Sequence, residues 1–355
     1  MTKIHRFPGL IDTHVHLREP GSMQKEDFDT GTQAAIAGGY TAIIDMPNNP
    51  DSIVTPQLLQ DKINRAKGRI SCDLGFHFGG ALMASTYFNE VKDKVFALKV
   101  YMNHTTGNLL IEDDSELDVI FSKWPKEKIL MVHAEGETLE KAVSLAKKYG
   151  NKLHACHVSL KREIEYIKSL KEEGFPITCE VTAHHLFLTK GDAERLGPYG
   201  FMKPNLATQE DVNALWENID VIDQIASDHA PHTKEEKDTL NPPPFGVPGL
   251  ETTLSLLVNA YHQGKLTLDR IQQLTHDTPK RLFNVPTQED TYVEVDLDQE
   301  FTIKNSQIVS KCGWTPFDGM KVKGKIVKVA LRGIEVFDGT TVSKANTGQV
   351  IYPKL

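Results

Sequence analysis

The feature that most constrains this chain is a series of eight short apolar runs separated by longer segments of helical pattern. The runs are Gly9–His14, Thr41–Met46, Cys72–Phe78, Phe96–Tyr101, Ile129–His133, Leu153–Val158, Ile177–Val181 and Val221–Ser227. Helical periodicity is expected over Lys25–Ala37, Pro56–Ala66, Ser115–Trp124, Glu137–Tyr149, Arg162–Glu173 and Glu210–Asn218. Such alternation marks repeated βα units and a parallel sheet. Eight parallel strands, each followed by a crossover, close most simply into an α/β (β/α)8 TIM barrel. An open doubly wound sheet is the competing architecture, but no glycine-rich phosphate-binding turn follows the first run. The barrel is expected over residues 5–290. Residues 291–355, with strand-like stretches at Tyr292–Asp296, Lys325–Leu331 and Ile334–Phe337, are expected to form a small C-terminal β-appendage packed on it.

Charge and composition narrow the partners. A formal net charge of −8, with acidic and basic residues interspersed, provides no footprint for nucleic acid or an anionic membrane. A small-molecule substrate is expected instead. No apolar run approaches the roughly 20 residues of a membrane span, and the first residues lack the apolar core of a signal peptide, so a cytoplasmic protein is expected. Cys72, Cys156, Cys179 and Cys312 lie far apart and are expected as free thiols.

In a barrel the chemistry lies at the C-terminal ends of the strands. His14 and His16, two apart on the first strand, project from one face toward one point, with Asp12 nearby and Arg18 where the strand gives way to a loop. A bare His-x-His is more often structural. Here matching residues recur: Asp45 and Asn48 after the second strand, His133 and Glu135 after the fifth, Cys156 and His157 after the sixth. Glu180 with His184 and His185 follows on the seventh, and Asp228 with His229 on the eighth. Chance would scatter such residues to both barrel ends, so the pattern points to a metal centre. Lys99, within the apolar fourth strand, would be buried, and an unpaired buried ammonium costs several kcal/mol. It can be neutralised by a neighbouring carboxylate, by deprotonation for Schiff-base chemistry, or by carboxylation to a carbamate that bridges two divalent ions.

The chain resembles the dihydroorotases of the amidohydrolase superfamily, most closely the dihydroorotase domain of the animal multifunctional pyrimidine-synthesis protein. The carriers are Pro-Gly-Leu-Ile-Asp-Thr-His-Val-His-Leu-Arg-Glu-Pro-Gly at 8–21, Lys-Glu-Asp-Phe at 25–28, Met-Pro-Asn at 46–48, Cys-His-Val at 156–158 and Thr-Cys-Glu-Val at 178–181. His-His-Leu-Phe-Leu at 184–188, Ala-Ser-Asp-His-Ala-Pro-His-Thr at 226–233 and Pro-Gly-Leu-Glu-Thr at 248–252 continue the series. The resemblance implies reversible cyclisation of N-carbamoyl-L-aspartate to L-dihydroorotate at a binuclear zinc centre with a bridging hydroxide. It implies that His14, His16 and Asp228 hold one zinc, His133 and His157 the other, and that Lys99, as N6-carboxylysine, bridges them. Asp228 would also be catalytic, carrying a proton to the leaving nitrogen. Arg18, Asn48 and His232 would bind the substrate carboxylate, and a lid would carry Thr105 and Thr106. Cys156, Glu180 and His185 are candidates for an additional metal.

The chain departs from many relatives at Met202–Thr208, where a Lys-x-Asn-Pro-Pro-Leu-Arg run is replaced, and Thr106 stands where the closest relatives have an aromatic residue. The alternatives are a hydantoinase or dihydropyrimidinase-like cyclic amidase and an inactive homologue serving aspartate carbamoyltransferase. Implied partners are a second copy, as a homodimer, and aspartate carbamoyltransferase.

Overall fold

The computed structural model describes residues 3–343 and 346–354. The chain enters through β1 (Ile4–Pro8) and then lays down the barrel. Its strands are β2 (Leu10–Val15), β3 (Tyr40–Asp45), β4 (Asp73–Phe76) with its continuation β5 (Phe78–Gly79), β6 (Ala97–Tyr101), β7 (Ile129–His133), β8 (Lys152–Ala155), β9 (Ile177–Thr182) and β10 (Gln224–Ala226). The pairings β2-β3-β4 and β5-β6-β7-β8-β9-β10 are all parallel, and only His77 separates β4 from β5. The barrel closes where Val15 bridges His229 and the His16 amide donates to the His229 carbonyl at 2.8 Å. The expected (β/α)8 barrel is therefore present, with strands within three residues of their sequence positions.

Alternation along the strands explains two cores. Leu98, Val100, Leu130 and Val132 pack outward into a large cluster shared with the surrounding helices. Ala97, Ile129 and Met131 point inward with Ala42 and Ile44, and Phe283, Val285 and Ile351 join the same inner cluster. Helices start on side-chain caps: Asp27 accepts from the Thr30 amide, and Thr55 accepts from the Leu58 amide with Pro56 in the first turn. The helix Thr253–His262 is absent from the sequence expectation. Seven of its ten residues are buried, so it lacks the polar stripe that makes helical periodicity visible.

The appended sheet has the order β1-β11-β12-β13, with β11 (Tyr292–Thr302), β12 (Lys321–Leu331) and β13 (Ile334–Phe337). Its edge strand is β1, running antiparallel from Ile4 opposite Asp296 to Pro8 opposite Tyr292, so the chain start feeds the appendage before the barrel begins. The tail then returns to the barrel: the Leu74 amide donates to the Gln349 carbonyl at 2.9 Å, and Arg332 grips Asp73 with two contacts of 2.9 Å. Between β11 and β12, Trp314 reaches back and donates its indole N–H to the His232 carbonyl at 2.7 Å. The sheet thus braces a loop at the C-terminal end of the barrel strands.

Candidate metal centre and substrate pocket

At the C-terminal end of β2 the chain places His14 and His16 around one carboxylate. His14 Nε2 lies 3.2 Å and His16 Nε2 3.1 Å from Asp228 Oδ1, which follows β10. Across the barrel, His133 Nδ1 and His157 Nε2 are 2.8 Å apart. The rings of His14 and His157 are 5.3 Å apart, so the two groups form one continuous cluster. Asp12 is not part of it: Oδ1 accepts from the His14 amide and Oδ2 from the Ser227 amide, both at 3.0 Å. It staples the two strand ends that present His14 and Asp228, and burial pushes its carboxyl up to about 7.

Several of these positions carry backbone that L residues rarely adopt. Arg18, His157 and Asp228 have φ of 63°, 35° and 43°. Left-handed backbone at non-glycine residues costs free energy and gathers at functional sites. Gly246, also on the pocket wall, has φ 134°, and a Cβ there would lie 2.4 Å from the Ala230 carbonyl oxygen.

Burial holds the imidazoles neutral. It is the largest influence lowering His14, His133 and, well below the usual range, His16 and His157, with Lys99 acting in the same direction on all four. Neutral imidazole is the metal-ligating form. Asp228 is raised by burial, and His14 and Lys99 oppose the shift.

Lys99 is fully buried on β6, and its Nζ donates to Cys156 Sγ at 2.9 Å. Among the described residues no carboxylate forms an ion pair with it, which removes the simplest of the three explanations for a lysine there. The buried His157 Nδ1 also lacks a hydrogen-bond partner, and His133 Nε2 has only a long contact of 3.5 Å to Glu135 Oε1. Neutral imidazole nitrogens and a carboxylate in a buried cluster suit a divalent cation of borderline softness; an ammonium would repel it, so Lys99 fits beside such an ion only once its charge is removed.

Cys156 and Glu180 converge on His14, with ligand atoms close enough to hold a further ion, whereas His185 does not join them. His185 Nδ1 meets Thr182 Oγ1 at 2.8 Å and its Nε2 donates to the Pro204 carbonyl at 3.0 Å. A helix starting at Ala183 turns it aside. Glu180 contacts His14 Nδ1 and His154 and accepts from Gln224 Nε2 at 2.7 Å. Burial raises Glu180, but its histidine contacts prevail and hold it well below the usual carboxylate range.

The pocket over this cluster is lined by Arg18, Asn48, Tyr101, Thr105, Thr106, Lys203, Phe245 and Gly246 together with the histidines and Asp228. Asn48 Oδ1 meets His16 Nδ1 at 2.8 Å, and its Nδ2 donates to the Thr106 carbonyl at 3.0 Å. Thr106 Oγ1 donates to the Phe245 carbonyl at 3.1 Å, tying the segment after β6 to the opposite wall of the pocket. His232 lies behind Arg18, with Nε2 3.2 Å from Arg18 Nη2. Lys203, in the departing loop, lines the pocket rather than standing in solvent. Tyr101, two residues after Lys99 on the same strand face, also faces the pocket, and its buried hydroxyl has no partner. Its signal in the sequence is the Lys-x-Tyr spacing. Lys62, which no sequence pattern marks as a site residue, is buried, pairs with Asp45 at 2.7 Å and donates to Met46 O and Asn49 Oδ1, both at 2.8 Å, anchoring the loop that carries Asn48.

A closed parallel barrel with a histidine–carboxylate–lysine cluster at its C-terminal end defines a class, and the amidohydrolase family model matches residues 6–241. The chain belongs to the amidohydrolase family. Within it, several sequence relatives at 33–35% identity are dihydroorotases matched over most of their length, and the chain groups with that family. It is 34% identical to a dihydroorotase of Thermococcus kodakarensis over 96% of this chain and 86% of that protein. It is 43% identical to the multifunctional protein pyr1-3 of Dictyostelium discoideum over 98% of this chain but 16% of that protein, and so spans about a sixth of that relative's length. Among solved structures, an L-hydantoinase (dihydropyrimidinase) of Arthrobacter aurescens superposes with a TM-score of 0.93 at 26% identity, covering 98% of this chain and 89% of that one. Among the described residues, no helix is long and apolar enough to cross a membrane.

Proposed function

We infer that the chain is a zinc-dependent dihydroorotase, interconverting N-carbamoyl-L-aspartate and L-dihydroorotate. The observation that carries the substrate is Arg18. Its guanidinium is buried in the pocket wall, held by Nε donation to the Pro231 carbonyl at 3.1 Å, and forms no ion pair with a carboxylate among the described residues. A buried cation facing a pocket calls for an anionic ligand. Dihydroorotate carries a carboxylate, and the rings of hydantoin and dihydrouracil do not. Arg18, Asn48 and His232 bind that carboxylate, and Thr105 and Thr106 cover it.

His14, His16 and Asp228 would hold one zinc and His133 and His157 the other, with Lys99 carboxylated as their bridge; Cys156, Glu180 and His14 offer a place for an additional ion. Bound zinc supplies Lewis acidity, polarising the amide carbonyl and lowering the pKa of water. Asp228 takes the proton of the attacking water and delivers it to the leaving amide nitrogen, a transfer suited to a carboxyl raised by burial. In the closing direction Asp228 starts protonated, so lower pH favours the ring.

A hydantoinase-type reading has the structural likeness on its side, and Arg18 against it. An inactive homologue is disfavoured because His14, His16, Lys99, His133, His157 and Asp228 are all present and gathered in one place. A homodimer and contact with aspartate carbamoyltransferase complete the proposal, and sedimentation tests both. The functional test is turnover of dihydroorotate against hydantoin by the zinc-loaded chain. Preference for dihydroorotate by at least about a hundredfold is expected from two charge-assisted contacts, and comparable efficiency on hydantoin would refute the assignment.

A further inference from the structure

Lys25 opens the Lys-Glu-Asp-Phe motif at 25–28 and has no part in the chemistry above. It nevertheless touches His232, whose role as a carboxylate donor depends on where its single proton sits. His232 Nε2 has the Phe245 carbonyl at 2.8 Å and Arg18 Nη2 at 3.2 Å. Its Nδ1 has Lys25 Nζ at 3.3 Å and Glu236 Oε2 at 3.5 Å. Lys25 in turn pairs with Glu236 Oε1 at 3.3 Å.

These four neighbours pull in two directions. The Phe245 carbonyl and Lys25 fit a proton on Nε2, whereas Arg18, which can only donate, and Glu236, which can only accept, fit a proton on Nδ1. On each nitrogen the shorter contact is the one that favours Nε2–H, 2.8 against 3.2 Å and 3.3 against 3.5 Å. With the proton on Nε2, the ring donates to the Phe245 carbonyl, and Nδ1 presents a lone pair that only a donor can meet; Lys25 is that donor. With the proton on Nδ1, the Nε2 lone pair would face a carbonyl oxygen at 2.8 Å, which is repulsive. With both protons, a cation would be buried among other cations. The charged groups facing the ring are Arg18 from the loop after β2, Lys25 ahead of the first barrel helix, and Glu236 and Lys237 from the helix Lys234–Thr239.

We propose that Lys25 is a positioning residue for the substrate carboxylate: by donating to Nδ1 it holds His232 as the neutral Nε2–H tautomer, with the N–H on the side where Arg18 and Phe245 line the pocket. The inference rests on the assignment of His232 to the carboxylate. Burial, then Arg18, push His232 down to about 3, Lys25 contributes in the same direction, and the contact with Glu236 opposes them. Glu236 is raised by burial, but its contacts with His232 and Lys25 prevail and bring it to about 2, so it is ionised and keeps Lys25 charged. The Phe245 carbonyl also accepts from Thr106 Oγ1 at 3.1 Å. His232 can therefore turn its N–H to an arriving carboxylate without leaving that carbonyl bare.

The test is long-range 1H–15N NMR of the zinc-loaded, histidine-labelled chain, with the His232 signals assigned through His232→Asn. The wild type should show a neutral Nε2–H ring from pH 6 to 8.5. In Lys25→Met, Nδ1 faces Glu236 alone; burial and Arg18 still hold the ring neutral, and its single proton should move to Nδ1 to meet that carboxylate. In the same variant the loss in kcat/KM for dihydroorotate should be carried by KM more than by kcat, because the ring no longer presents an N–H to the carboxylate. Lys25→Arg should restore the wild-type spectrum, and Glu236→Gln should leave the ring neutral. An unchanged neutral Nε2–H ring in Lys25→Met, or an Nδ1–H ring in the wild type, overturns the proposal. Because the spectrum is read without turnover, a wild type that ignores dihydroorotate would refute the functional assignment while the tautomer result still decides the role of Lys25.

Discussion

Replacing Arg18 by Met separates a site built for a carboxylate from one built for a neutral ring. Arg18 is 8% exposed, anchored through Nε to the Pro231 carbonyl and through Nη2 against His232, so its guanidinium is held in place for a ligand rather than searching for one. A charge-assisted hydrogen bond contributes on the order of 1.5–3 kcal/mol. Met approximates the aliphatic stem but leaves the substrate carboxylate desolvated without its main partner, while Asn48 and His232 still offer neutral donors. At about 1.4 kcal/mol per factor of ten, kcat/KM for dihydroorotate should fall about tenfold to a hundredfold. The fold should survive, because the change removes a buried charge and strands only the Pro231 carbonyl. The assay is initial rates on dihydroorotate and on hydantoin, wild type against variant, at one pH and one metal loading. Hydantoin turnover, however small, should change by less than about threefold, a difference under 1 kcal/mol. An equal loss on both substrates would show that Arg18 supports the site generally and binds no carboxylate.

Asp228→Asn should keep much of the metal affinity, since the amide oxygen still coordinates, yet abolish turnover because it cannot carry a proton; near-normal rates at full metal content would place the proton carrier elsewhere. Lys62→Met should strand the buried Asp45 carboxylate, at a cost of about 3–5 kcal/mol. The thermal midpoint should drop by on the order of 10 °C, and adding Asp45→Asn should recover part of that. An unchanged melting curve for Lys62→Met would mean that the loop carrying Asn48 does not depend on this pair.

Much of the fold and part of the site are legible in the sequence because parallel strands, buried on both faces, appear as apolar runs, and a residue that breaks such a run declares itself. Lys99 does so from the middle of β6, and His133 and Asp228 from the ends of β7 and β10. What is hidden depends on direction and on distant partners. His184 and His185 are adjacent, and only the helical turn at Ala183 decides that His185 faces Pro204 instead of Cys156 and Glu180. Lys62 sits in an amphipathic helix, where a lysine ordinarily faces water; its burial follows from Asp45, seventeen residues earlier on β3. Trp314 lies 82 residues from His232, and no local pattern links them. The left-handed backbone at Arg18 is likewise invisible, because arginine has no preference for it; aspartate and histidine do favour positive φ, but nothing local marks Asp228 and His157 out from the other residues of their types.

The metal bound per chain, measured by elemental analysis in the wild type and in Lys99→Ala after identical zinc loading and desalting, tests the binuclear centre most directly. Two zinc equivalents are expected in the wild type, or three if Cys156, Glu180 and His14 hold an additional ion. In Lys99→Ala the content should fall below one, and short-chain carboxylic acids that refill the cavity should restore part of both metal and activity. Full zinc content and wild-type turnover in Lys99→Ala would contradict a bridging carboxylated lysine.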